Sequence, residues 1–201
     1  RRVTSEADLE LVRMVLSGVT NKRLVGTFTA AGVRAVGISG EDGALLRGTV
    51  APGAPLGRVG EALVADATLL RDLIAAGWTP VVSPLATDAD DTPRGALNVN
   101  GDDAAAAIAE ALGASELLLV ADVPGVLRDG AVLPALDATA IAALAASGVA
   151  TGGMLAKLEA ALRAATAGVT RVRVGALDAI TDLAAGTRIT RDVLTPEPQL
   201  R

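Results

Sequence analysis

Thr151-Gly152-Gly153-Met154-Leu155-Ala156-Lys157 is the stretch best equipped for chemistry. Two glycines at a helix start expose backbone N–H groups, and the helix dipole aims them at an anion. Lys157 follows Gly153 by four residues. That is one helical turn, so its ammonium can point at the same place. Lys22 and Lys157 are the chain's two lysines; every other basic side chain is Arg. A compact ammonium suits a phosphoryl group as a point charge. The spacing is not that of a P-loop or of a dinucleotide-binding glycine motif. The plainer account is a glycine-broken helix pair with an exposed Lys, and the phosphate cradle is the favoured reading of the two. Lys22, beside Asn21, reads as a solvated helix residue.

Two further clusters are polar where an α/β sheet binds ligands, at the carboxyl ends of strands. Asn98-Val99-Asn100-Gly101-Asp102-Asp103 closes a strand and opens a helix. On residue types alone it is a well-capped helix start. In the functional alternative, Asn98 donates to a ligand and Asp102 orients a cation. Two Asn and two Asp in six residues are more polar groups than capping needs. Asp122-Val123-Pro124-Gly125 follows an apolar strand. It reads equally as a tight turn and as a backbone cradle for a nucleotide.

Composition narrows the chemistry. The 201 residues contain no His and no Cys. Ser-His-Asp catalysis, thiolate metal sites and disulfides are thereby excluded. Lys and Arg number 18 against 23 Asp and Glu, a net charge of −5, and aromatics are 1%. An acidic chain with almost nothing to stack on bases is not a nucleic-acid binder. The longest apolar region, 138–156, is broken by Gly148, Gly152 and Gly153, so no membrane span is expected. What remains is phosphoryl transfer without a histidine. An acceptor carboxylate is already ionised near neutral pH and needs no base. The protein then has only to position two anions and offset the charge between them.

The elements that must position these groups alternate between strand and helix. Ser5-Glu6-Ala7-Asp8 reads as a capping box, with Leu9, Val12, Val15 and Leu16 at helical spacing and Gly18 as the stop. Asn21 reads as the cap of a second helix ending at Gly32. Strands are expected at 33–38, 79–85, 116–121, 169–174 and 187–190. Helices are expected at 67–76, 102–112, from Asp137 to near Gly148, from Gly152 to about 167, and at 177–185. Residues 44–61 read as an excursion with a hairpin tip at Pro52, Gly53, Pro55 and Gly57, and 87–95 as an acidic loop. The class is α/β with a mainly parallel sheet. The 51% hydrophobic content, almost all aliphatic, favours close helix-on-sheet packing. The stretch 113–116 reads as a junction between two lobes of one domain, 1–113 and 114–201.

Taken together these motifs resemble the amino acid kinase family, and within it the branch acting on N-acetylglutamate. The resemblance runs through the whole chain. Arg2-Val3-Thr4 resembles the family's Arg that binds the acceptor carboxylate. Asn98-Val99-Asn100-Gly101-Asp102 resembles its Asn-x-Asn-x-Asp motif, in which Asn98 binds the acceptor and Asp102 organises catalytic lysines. Asp122, Val123, Gly125, Val126 and Leu127 resemble its nucleotide loop. Thr151, Gly152, Gly153 and Met154 resemble its ATP contacts, and Lys157 its transition-state lysine. Leu56-Gly57-Arg58-Val59-Gly60-Glu61 is similar to the hairpin beside the acceptor.

The resemblance implies a three-layer αβα sandwich, with the acceptor in the first lobe and ATP with Mg²⁺ in the second. Mg²⁺ is expected on the ATP phosphates, with no protein metal site. The implied reaction is phosphorylation of the γ-carboxylate of N-acetyl-L-glutamate to an acyl phosphate, in arginine biosynthesis. A free or carrier-linked aminoadipate acceptor in lysine biosynthesis, or a catalytically dead dimeric binding module, are the alternatives. A cytoplasmic homodimer joined through the first two helices is implied. Family members carry a Lys-x-Gly-Gly strand and a glycine-rich acceptor loop ahead of the Arg2 equivalent. Neither occurs here, so the first strand–loop–helix unit is expected to be absent. A chain beginning this way is expected to be inactive or part of a longer protein.

Overall fold

The computed structural model describes residues 3–52, 56–90 and 95–193. The chain divides into two compact units, Arg1–Leu112 and Gly113–Arg201.

The first unit opens on helix α1, Glu6–Arg13, with the expected capping box. The Ser5 hydroxyl accepts the Asp8 N–H at 3.1 Å, and the Asp8 carboxylate accepts the Ser5 N–H at 3.0 Å. The Ser5 side-chain hydrogen bond holds the Asp8 carboxyl below its ordinary pKa. Gly18 does not stop the helix. A π-helical stretch, Met14–Thr20, runs straight into helix α2, Asn21–Ala30. Asn21 is therefore not a cap. Its own N–H bonds to Leu16 O, five residues back. The wider turn brings Ser17 and Asn21 against the strands. Ser17 Oγ lies 2.6 Å from Ser83 Oγ, and Asn21 Nδ2 donates to Ile38 O and Val81 O. Lys22 is tied down as well, donating to Gly37 O at 2.8 Å.

Strand β1, Ala35–Ser39, leads through a turn at Asp42–Ala44 into β2, Leu46–Val50, and β3, Gly60–Ala65. The hairpin between β2 and β3 is antiparallel, and residues 53–55 of its expected tip lie outside the described residues. Helix α3, Thr68–Ala75, precedes β4, Thr79–Ser83, which pairs in parallel with β1. The expected strand 79–85 breaks at Pro84. Leu85–Asp88 forms a separate strand, β5, in another sheet and takes in the start of the expected acidic loop. Proline has no N–H to donate to a ladder, which suits it to the crossing point. Strand β6, Ala96–Asn98, returns antiparallel to β5, and helix α4, Gly101–Leu112, follows. The sheet order is β3-β2-β5-β6.

The core of this unit joins Leu45, Leu46, Leu70, Leu97 and Val99 to Ala104 and Ala107 of α4. Alanines on the inner face of α4 let the helix approach the sheet closely. That is how a core with almost no aromatics fills its space.

The second unit holds β7, Glu116–Val120; a hairpin of β8, Leu127–Arg128, and β9, Ala131–Val132; and β10, Ala135–Leu136. Asp129 and Gly130 turn the hairpin with φ of 52° and 81°, the two-residue turn that suits strand twist. Sequence reading had not placed β8, β9 or β10. Helix α5, Ala138–Ala146, is capped by Asp137, whose Oδ1 accepts the Ala140 N–H at 2.8 Å. Helix α6, Gly152–Thr166, buries Leu158, Ala160, Ala161, Ala164 and Ala165. Strand β11, Arg171–Gly175, and β12, Thr187–Ile189, complete the order β10-β12-β11-β7.

The expected helix 177–185 is reduced to one 3-10 turn, Leu177–Ile180. Arg173 explains this. Its guanidinium, 4% exposed, donates to the carbonyls of Ala179, Asp182 and Ala185. A helix over 177–185 would have needed the Ala179 carbonyl for its own ladder. Leu177, Ile180 and Leu183 stay exposed, so there is no apolar face to drive one.

The α/β class holds. The pairs β1–β4, β2–β5, β7–β11 and β10–β12 are parallel, and the hairpins and β11–β12 add antiparallel neighbours. No helix among the described residues is long and apolar enough to cross a membrane.

Candidate active site

In the first unit the structure gathers three distant segments at the end of β6. Asn98 is its last residue. The Asn98 side chain donates to Thr4 Oγ1 at 3.1 Å, and its backbone N–H donates to Arg58 O at 2.8 Å. Thr4 bonds in turn to the segment 56–58, through Thr4 N–H to Leu56 O and Arg58 N–H to Thr4 O. Gly57 makes that approach possible. A Cβ there would stand 2.2 Å from the Thr4 carbonyl oxygen, and its φ is +65°. The segment 56–61, read as lying beside the acceptor, thus borders Asn98. Arg2 lies outside the described residues, two positions before buried Thr4.

Beneath this edge sits an ion pair that sequence reading missed. Arg58 Nη1 lies 3.2 Å from Asp88 Oδ2, with side chains 15% and 2% exposed. Arg58 Nε also donates to Ala96 O. A charge this deep is kept only with its partner, so the pair ties the 56–60 segment to β5 and β6. Asp88 was hidden in the sequence among the acids of 87–95, with nothing to mark it as the buried one.

Asn100 caps α4 as expected. Its Oδ1 accepts the N–H groups of Asp102 at 2.8 Å and Asp103 at 3.1 Å. Asp102 and Asp103, both half-buried, occupy the first turn.

In the second unit the two expected nucleotide segments leave the same end of the sheet. β7 and β11 are parallel, and the Ala121 N–H bonds to Gly175 O just past their ends. Asp122–Gly125 bends away there, with Asp122 and Leu127 exposed and Gly125 and Val126 buried. Helix α6 is joined to β11 by a short turn at Gly168–Thr170 and packs back along it. Its N-terminus therefore points toward the carboxyl ends of those strands. Thr151 is extended there and makes no side-chain cap. Gly152 and Gly153 are exposed, and Met154 and Lys157 are half-buried. The first N–H groups of α6 have no partner within the helix, which is the condition for binding a phosphate.

A second missed residue is Thr187. Wholly buried, it accepts the Val126 N–H at 2.8 Å and donates to Leu133 O at 2.7 Å. A buried hydroxyl at a strand start leaves no signal in one sequence.

Residues 1–176 match the model of the amino acid kinase family. The chain belongs to the amino acid kinase family. Among relatives, the acetylglutamate kinase of Rubrobacter xylanophilus is 51% identical over 84% of this chain and 64% of its own length. The acetylglutamate kinase of Chloroflexus aurantiacus is 45% identical over 96% of this chain and 76% of its own. The chain thus spans between three-fifths and four-fifths of these two relatives. A crystal structure of a protein from Streptococcus mutans superposes with a TM-score of 0.83 at 29% identity, over 94% of this chain and 74% of that one. The α/β sandwich expected of an amino acid kinase is thereby supported. The matched stretch contains Asn98, Asp102, Asp122–Leu127, Thr151–Met154 and Lys157.

Proposed function

We propose that this protein phosphorylates the γ-carboxylate of N-acetyl-L-glutamate with ATP, forming an acyl phosphate for arginine biosynthesis. The observation that carries the reading is the 51% and 45% identity with two acetylglutamate kinases. Neither relative favours an aminoadipate acceptor or a catalytically dead module.

The first unit is assigned to the acceptor and the second to ATP. Asn98 donates to the acceptor's acetylated end and Arg2 binds its carboxylate. The uncapped start of α6 fits ATP phosphates. Thr151, Gly152, Gly153 and Met154 would hold them, and Asp122, Val123, Gly125, Val126 and Leu127 would line the nucleotide. ATP supplies the phosphoryl group, and we place Mg²⁺ on its phosphates. Lys157 offsets the charge that builds as the two anions meet, and Asp102 orders lysine side chains. No proton need be removed, because a carboxylate acceptor is already ionised, and a chain without His can then do the chemistry.

The same reading makes the protein a cytoplasmic homodimer. Leu11, Met14, Val15, Val19 and Leu24 support that; these large apolar side chains are all exposed along the helical segment 6–30, and a second copy would cover them.

The test is ADP release with N-acetyl-L-glutamate and with N-acetyl-aminoadipate, with hydroxylamine present to trap acyl phosphate. Turnover with the glutamate substrate is expected. Turnover only with aminoadipate, or with neither, would overturn the reading.

A further inference from the structure

We propose that the Thr187 hydroxyl positions the nucleotide loop, Asp122–Leu127, and that ATP affinity depends on it. The inference rests on the assignment of that loop to the nucleotide.

Thr187 closes a ring of hydrogen bonds. Its Oγ1 accepts the Val126 N–H at 2.8 Å, its O–H goes to Leu133 O at 2.7 Å, and the Leu133 N–H returns to Val126 O at 2.8 Å. One hydroxyl is thus both acceptor and donor, with both partners backbone. Among small side chains only the hydroxyl of Thr or Ser does both strongly from a single uncharged atom. The loop rests directly on this group. A Cβ at Gly125 would lie 2.8 Å from Thr187 Oγ1 and 2.6 Å from Val132 Cγ1. Gly125 therefore lets the loop settle onto the threonine, and any side chain there would lift it off.

The anchor is itself fixed from two sides. Thr187 pairs with Val174 in the β11–β12 ladder, and the neighbouring Arg188 N–H bonds to Pro134 O. Ahead of it, Arg173 holds the carbonyls of Ala179, Asp182 and Ala185 at 2.8 to 2.9 Å. The segment that delivers Thr187 is thus strapped to the sheet. Close packing carries this to the loop. A Cβ at Gly175 would meet Ala179 Cβ at 2.9 Å, Gly186 Cα at 3.1 Å and Pro124 O at 3.6 Å. The strand end, the strap and the loop are in contact at one point. A loop held this way is ordered before the nucleotide arrives, so binding does not have to order it.

The experiment compares Thr187→Val with Thr187→Ser by calorimetric titration with Mg·ATP and, separately, with N-acetyl-L-glutamate. Valine keeps the buried volume and removes both hydrogen bonds; serine restores them. We expect the valine variant to bind ATP about tenfold more weakly, the size of the one lost hydrogen bond that reaches the loop, from the Val126 N–H to Thr187 Oγ1. N-acetyl-L-glutamate binding should be unchanged in both variants, and serine should recover most of the ATP affinity. Unchanged ATP binding in the valine variant, or a serine variant no better than valine, would overturn the proposal. So would an equal loss for both ligands, which marks a general structural role. Thr187→Ala replaces the valine variant if that does not fold. If the wild-type chain binds no ATP, the assignment of the loop to a nucleotide falls. Amide exchange across 122–127 then decides the pinning: faster exchange in the valine variant supports it, and unchanged exchange overturns it.

Discussion

Asn98 and Thr4 are 94 residues apart in the chain, and the Asn98 amide donates to the Thr4 hydroxyl at 3.1 Å. Thr4 is 3% exposed, so its hydroxyl is held in place by its surroundings. The bond fixes which way the amide faces and leaves its carbonyl oxygen and second N–H to other partners. Thr4→Val should therefore raise the KM for N-acetyl-L-glutamate about tenfold, the value of one net hydrogen bond. The KM for ATP should hold steady. Steady-state kinetics with each substrate varied in turn checks this, and an equal rise in both constants would count against it.

Lys157 sits one turn into α6, behind the exposed glycines. Lys157→Met keeps the stem and removes the charge. The rate should fall by roughly 10² to 10³, the usual cost of one preorganised donor. The circular dichroism spectrum should not change. A variant that turns over at the wild-type rate would remove Lys157 from the mechanism.

Asn100 satisfies two N–H groups at the start of α4. Asn100→Ala should cost about 1 kcal/mol of stability. For a chain of this size that lowers the thermal midpoint by about 2–4 °C. Asn100→Asp should lose much less, because a carboxylate caps as well and suits the dipole. Thermal unfolding of the three proteins gives the comparison.

Glu116 carries a pH dependence. The Arg173 guanidinium bonds to its carboxylate at 2.6 and 3.0 Å, with a smaller contribution from Arg171. These hold the Glu116 carboxyl below its ordinary pKa. A lowered folded-state pKa stabilises the fold above the unfolded value, near ~4.3, and that stability is lost as pH falls through the folded value. Glu116→Gln should thus lower the unfolding midpoint at pH 7, and the gap to wild type should close on acidification below about pH 4. A gap independent of pH would show that charge is not what stabilises this contact.

The sequence by itself determined the pieces whose cause is local. The Ser5–Asp8 box, the Asn100 and Asp137 caps and the uncapped glycine start of α6 each depend on residues within one turn. Their types and spacing are enough to place them. The family followed for the same reason, since its motifs are short and contiguous.

Tertiary structure decided whatever depends on a distant partner. Gly18 and Asn21 look like a stop and a cap, yet the helix runs through both. Two strands 17 and 60 residues away offer the Asn21 amide better acceptors than its own helix could. Residues 177–185 have helical spacing, but Arg173 binds the carbonyls of Ala179, Asp182 and Ala185, the first of which a helix would have used. Pro84 divides one apolar run between two sheets, which a linear pattern cannot express. Thr4, Asp88 and Thr187 acquire their roles only by burial beside groups from other segments. A buried polar side chain is kept where it finds hydrogen-bond partners, and those partners are set by the fold rather than by neighbours in the chain.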